Sequence, residues 1–315
     1  MAKNTQKSFW DKIGNLDYRI IYATFIILLI IPVFRPLGIP MKISGPVQDY
    51  YNTIVNLPPN SVILMHSFVD LSVWADTGPI LIATWKILWA IPQSKNITII
   101  AYTSLSDGAV KMDDMLKTIL KPPQWRIDTY AYTWCDLGFI TQPDEAMVSS
   151  FAGNMIAVGK IDNHIYSIGK EWRGKPLMEL PVIKAVAARD GDPNILNAAD
   201  FDLNIWGSWG CTDPDIRVRQ FYVAGNPMYA VPLVFMTIGN CVPNTVPYYG
   251  ADKPIKGYVP GSSGAAMLEK ILGYSGDGTI MADIGDLAGV ATVFFLALGN
   301  ASYFGKKYFE KKEVK

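Results

Sequence analysis

Two uncharged apolar runs stand out along the chain, at residues 20–34 (IIYATFIILLIIPVF) and 287–305 (LAGVATVFFLALGNASYFG). A helix that crosses a bilayer core needs roughly 20 apolar residues. The first run reaches that length through Leu37, Gly38 and Ile39 if Arg35 snorkels to the interface. A secretory signal peptide is the alternative, but no A-x-A-like cleavage site follows the run. The second run stops at Lys306-Lys307, and its alternative is a buried C-terminal helix of a soluble domain. Gly289, Gly299, Asn300 and Ser302 suit that helix for packing against another.

We therefore expect membrane spans over residues 20–39 and 284–305. Lys3, Lys7, Lys12 and Arg19 precede the first, and Lys306, Lys307, Lys311, Lys312 and Lys315 follow the second. The opposite flanks carry only Arg35, Lys42 and Lys270. By the positive-inside rule both termini, residues 1–19 and 306–315, lie in the cytoplasm of a cell-membrane protein, and residues 43–283 lie outside.

Between the runs the pattern alternates between two periods. Apolar stretches of strand length occur at 61–68, 96–103, 201–206 and 229–238, and residues 126–134 alternate as a strand does. Helical patterns fill 78–91, 111–120, 143–151, 181–188 and 214–222, and another begins at Ser44 before Gly45-Pro46. Alternation of this kind predicts an α/β domain with a mostly parallel, doubly wound, Rossmann-like sheet, flanked here by two transmembrane helices. Residues 152–194, punctuated by Gly, Lys and Pro, read as short elements. The helix at 78–91, with Trp85, Lys86 and Trp89, suits a core helix, an interfacial helix or a subunit contact.

Composition narrows the class. The 28 Lys+Arg balance 28 Asp+Glu, and charged residues make up only 18% of 315. That share lies below the roughly 25% of soluble domains, as expected of a membrane-bound chain. Zero net charge offers no basic footprint, so no nucleic-acid partner is expected. Three Cys cannot make a disulfide framework.

In a doubly wound sheet ligands sit beyond the carboxyl ends of the strands. The strand ends here lead to Asp70, to Asp107-Gly108, to Cys135-Asp136, and to a loop carrying Cys211 and Asp213. Asp70, Asp107, Asp136 and Asp213 could converge on a cation or a polar substrate; helix capping is the alternative for each, above all at Asp213-Pro214. Cys211 before a helix N-terminus could act as a nucleophile, serve as a structural thiol, or bond Cys241 in an oxidising compartment. The two His, His66 and His164, offer no zinc-ligand spacing. No metal and no cofactor is expected. The stretch Gly261-Ser262-Ser263-Gly264 opens a helix and suits either an anion at the free N–H groups or close packing.

Four stretches carry a resemblance: Asp136-Leu137-Gly138-Phe139, Gly174-Lys175-Pro176-Leu177 through Leu180-Pro181, Pro247-Tyr248-Tyr249, and Gly257 through Gly264-Ala265-Ala266 to Glu269. In these the chain resembles a group of uncharacterised prokaryotic membrane proteins that hold one α/β domain between an N-terminal and a C-terminal span. The resemblance implies that architecture and no activity. The chain departs from the group after Ala265-Ala266, where Met267-Leu268-Glu269 carries a single acid.

The expected function is a non-catalytic, extracytoplasmic assembly or ligand-binding component of a membrane complex. Its expected partners are the lipid bilayer and copies of itself or other membrane subunits. The rival is a membrane-tethered hydrolase or transferase with an acidic site at the strand ends.

Overall fold

The computed structural model describes residues 9–67, 71–103, 106–139, 175–176, 179–189, 191, 196, 200–208, 210–221 and 231–313. The expected helix at 143–151 and all of 152–174 lie outside these residues. In chain order the helices are α1 (Phe9–Gly14), α2 (Tyr18–Phe34), α3 (Gly45–Val55), α4 (Trp74–Ala90), α5 (Ser106–Met115), α6 (Gln124–Asp128), α7 (Pro181–Ala187), α8 (Asp213–Phe221), α9 (Gly261–Leu272) and α10 (Asp277–Glu313). The strands are β1 (Val62–His66), β2 (Thr98–Thr103), β3 (Trp134–Phe139), β4 (Leu203–Gly207), β5 (Leu233–Thr237) and β6 (Ile255–Pro260).

The strands form one six-stranded sheet in the order β3-β2-β1-β4-β5-β6, and every neighbouring pair is parallel. Strands in such a sheet are covered on both faces, which is why VILMH and LVFMT read as unbroken apolar runs and are buried throughout. The register assigns the faces. His66 and Trp206 share one face, and Ile205 and Met236 the other. Thr84 of α4 reaches the Met236 sulfur (3.5 Å) and bonds Tyr50 of α3 (2.8 Å), so both helices lie on the second face. Arg217 of α8 stacks 3.7 Å from the centre of the Trp206 ring, so α8 covers the first. The α/β reading is thus correct, and helices lie on both faces.

Two local readings are corrected. Residues 126–134, expected as a strand, form α6 and a tight corner. Pro123 is the N-cap, the Gln124 amide bonds the Asp128 carboxylate one turn on (2.8 Å), and Ala131 turns back at φ 68° to meet the Trp134 carbonyl. β3 starts only at Trp134. Residues 255–260 form the edge strand β6, where the sequence reading saw no strand. A Cβ on Gly257 would fall on the backbone of Tyr50, so only glycine lets α3 lie this close across β6.

The chain divides into two compact units. Met41–Gly278 holds the sheet, while Met1–Pro40 and Thr279–Lys315 make the other. In the second unit the Phe25 and Phe295 rings stack at 5.6 Å, and Ser302 donates to the Trp10 carbonyl (2.8 Å). The Asp283 carboxylate, 1% exposed, accepts from Leu37, Gly38 and Ile39 N–H at 2.7, 2.9 and 2.9 Å. These contacts run in opposite directions along the two segments, so α2 and α10 pair antiparallel. Ile26, Ile27, Phe34, Val293, Phe294 and Leu296 face outward and exposed.

Among the described residues one helix, over Asp277–Tyr308, is long and apolar enough to cross a membrane; Tyr18–Phe34 is apolar but has only 17 residues. The expected extension of the first run to residue 39 does not form as helix. Arg35 precedes Pro36, adopts an extended conformation (φ −148°, ψ 104°), and the next three N–H groups turn to Asp283 instead.

Candidate functional site

Because all six strands are parallel, their carboxyl ends share one edge, and the order reverses direction between β1 and β4. That switch point is where doubly wound sheets open a crevice. Here described side chains stack on one another. His66, the last residue of β1, is fully buried and stacks on Trp206 with ring centres 3.9 Å apart, while Arg217 covers the opposite side of the same indole. The His66 Nδ1 lies 3.0 Å from the Gly207 carbonyl. A carbonyl only accepts, so Nδ1 carries the proton in this assignment. Burial, reinforced by the positive charge of Arg217, holds the imidazole well below its usual proton affinity, against a smaller opposing pull from the Gly207 carbonyl. The result is a neutral, enclosed ring. Arg217 is also lowered, by burial first, with Tyr102 and Asp213 opposing.

The loop after β4 holds two expected site residues. Asp213, 6% exposed in the first turn of α8, accepts from Gly210 N–H (3.1 Å), which closes its own loop. Cys211 is bonded to Cys241, in the 3₁₀ turn Gly239–Cys241 after β5. The disulfide therefore ties two adjacent strand-end loops. Next to it, the Asp76 carboxylate in the first turn of α4 accepts from Gly239 N–H (2.8 Å) and Ser262 N–H (2.7 Å). Gly261, Ser262, Ser263 and Gly264 are thus the first turn of α9, and the anion at that turn is the chain's own Asp76. Gly261 sits at φ 50°, and a Cβ there would strike Asp76. A Cβ on Gly264 would strike Pro260 and Val259, so close packing operates in the same turn.

The remaining candidates lie apart. Asp136 is inside β3, pairs with Ala101, and accepts from Gly138 N–H (2.9 Å). Three strand spacings separate β3 from β4, about 14 Å at the usual interval. Asp107 falls within α5, and Asp70 lies outside the described residues. Cys211 and Asp213 therefore share one loop, and Asp136 does not join them. Among the described residues no three His, Cys, Asp or Glu side chains gather as a metal site would require.

Sequence reasoning missed Asp76, Arg217 and Glu269. Glu269, 2% exposed, accepts from Gly276 and Gly278 N–H (2.9 Å each) and caps the start of α10. Asp76 carried one local signal, an acid in the first turn of an apolar helix, but its two partners are more than 160 residues distant. Two tyrosine–carboxylate bonds join other helices, Tyr248 to Asp215 and, beside the start of β6, Tyr249 to Asp49, each 2.5 Å. The first holds the Asp215 carboxyl below its usual range, with Arg219 adding to it.

No protein-family model matches the chain, and neither a curated protein nor a solved structure matches it. The fold and its chemistry carry the functional reading alone.

Proposed function

We propose that the chain is a membrane-anchored component whose α/β domain works outside the cytoplasm, as an assembly or ligand-binding part of a larger membrane complex, without catalysing a reaction. The observation that carries this reading is the Cys211–Cys241 disulfide. Such bonds persist in oxidising compartments and are rare in the cytosol. The same bond takes the sulfur of Cys211 out of nucleophilic chemistry, and the His66 imidazole at the switch point is enclosed and neutral. Of the groups on which the tethered-enzyme reading relies, Cys211 is bonded and the Asp136 and Asp213 carboxyls are buried.

Two membrane-crossing helices fit this proposal. The hydroxyls of Thr24 and Thr292 bond carbonyls one turn back (2.8 Å each), which suits helices in lipid, and apolar side chains cover the outer faces of α2 and α10. Lysines beyond both outer helix ends favour cytoplasmic termini. Association with further copies or other membrane subunits is part of the same proposal.

The test is thiol counting on membranes quenched without reductant. With three Cys in the chain, a maleimide–polyethylene glycol reagent should add once to the denatured protein before reduction and three times after it. Protease applied to intact spheroplasts should digest the domain. Three additions before reduction, or a domain reached only in inverted vesicles, would reject the proposal.

A further inference from the structure

At the amino-terminal side of the sheet, where β2 and β3 begin, a buried cation stands without a counter-charge among the described residues. Arg126 of α6 is 1% exposed. Among the described residues no carboxylate lies within ion-pair distance of it, whereas Arg189 and Arg219 pair with Asp202 and Asp215. Its hydrogen bonds leave from Nη1, to the Ile97 carbonyl (3.0 Å) and Thr133 Oγ1 (3.5 Å). The guanidinium carbon stands 4.2 Å from the centre of the Trp125 ring and 5.8 Å from that of Trp89. The Nε proton is buried and has no acceptor, and neither has the buried indole N–H of Trp89. Donors crowd this corner, and among the described residues no acidic group answers them.

The corner is stiff. Trp134 donates its indole N–H to the Arg126 carbonyl (2.6 Å), and Thr129 donates to the Trp125 carbonyl (2.7 Å). Arg126 is therefore fixed at its backbone and at Nη1. Guanidinium recognises carboxylate and phosphate groups through its planar fork, taking two oxygens side by side. The edge formed by Nε and Nη2 is the one that no hydrogen bond among the described residues uses. Without a counter-ion, burial draws the proton affinity of Arg126 down to about 10, the direction an arriving anion would reverse.

We propose that Arg126 is the core of an oxyanion-binding site, in which a carboxylate or phosphate group accepts from Nε and Nη2 between the rings of Trp125 and Trp89. This inference stands independently of the membrane reading, since it uses only the α/β unit. The partner is defined by its two coplanar oxygens.

Full-length protein in detergent, at ionic strength held constant with sodium chloride, is titrated with inorganic phosphate and separately with succinate while tryptophan fluorescence is read. A saturable change with either anion is expected, and the two arms identify which oxyanion the site takes. Arg126→Lys, which keeps the charge and loses the fork, should weaken binding about tenfold with an unchanged far-ultraviolet circular dichroism spectrum. Trp125→Phe, a change at a half-buried ring, should fold in any case and remove most of the fluorescence response. No saturable change with either anion in the native protein would overturn the proposal. So would a Lys variant that binds like the native protein, or a full response in Trp125→Phe.

Discussion

Asp76 and Arg126 sit near opposite ends of the same sheet, and their surroundings differ in kind. At the carboxyl ends the Asp76 carboxylate is met by two backbone N–H groups from the loops after β5 and β6. Near the amino ends the Arg126 guanidinium is met by rings, one carbonyl and one hydroxyl. The backbone explains part of the contrast. Loops that follow parallel strands lead into helices, and helix starts present N–H groups that need acceptors. An acid from a neighbouring element satisfies several of them and closes the edge at once. At the other end carbonyls play the matching part for Lys95, whose ammonium donates to those of Val55 and Leu57 (2.7 and 3.2 Å). Arg126 donates to the Ile97 carbonyl and is otherwise met largely by aromatic faces. At the carboxyl edge, usually the open side of this fold, Asp76 and the disulfide tie the described turns after β4, β5 and β6. At the amino edge Arg126 has no acidic partner among the described residues.

The largest expected effect that tests this contrast is at the disulfide. Replacing both cysteines, Cys211→Ala with Cys241→Ala, should lower stability by about 3 kcal/mol, since a closed loop of this size contributes that much. Denaturant midpoints of the oxidised native protein and the double variant give the value directly. Asp76→Ala should cost about 2 kcal/mol, the usual loss for a carboxylate bonded to two amides. Gly261→Ala should be less harmful in the Asp76→Ala background than in the native one, because its Cβ clash is with that carboxylate. A double-mutant cycle in which the two effects simply add would show that the clamp does not work as described.

Acidification should come next. His66 is held neutral in the fold by burial, so the unfolded chain binds its proton first as the pH falls. Stability from this group is complete above about pH 6.5 and declines below it, by at most about 1.4 kcal/mol per pH unit. Unfolding midpoints at descending pH should show the decline, and His66→Asn should flatten it. The smallest effect belongs to the amino edge. Arg126→Met removes an uncompensated buried charge and keeps its volume, so the change should stay within about 1 kcal/mol, compared by the same denaturation assay.

Several elements were readable from the sequence for reasons that the structure makes plain. β1, β2, β4 and β5 lie inside the sheet and are covered on both faces, so they are rich in apolar residues, with Asn204 a buried polar exception in β4. The edge strand β6 (IKGYVP) has a lysine, a glycine and a proline because it must admit α3 at Gly257, and that need disguises it. Residues 126–134 mislead in the opposite sense: alternation is present, but Pro123, the Gln124–Asp128 bond and the turn at Ala131 make a helix and corner. At the candidate site the sequence supplied Cys211, Asp213 and the turn at Gly261–Gly264, each local in the chain. It offered the bond to Cys241 only as one of three readings of Cys211 and did not supply Asp76 at all, because these contacts join turns that the topology brings together. Register and crossover, not composition, decide them.

The three N–H groups of Leu37, Gly38 and Ile39 have a consequence for how the molecule is made. Their acceptor, Asp283, is separated from them by some 245 residues. A ribosome delivers the first apolar helix and then nearly the whole α/β unit before that carboxylate exists. The two greasy segments can therefore lock to each other only late in synthesis, and truncated nascent chains should leave the first of them unmatched.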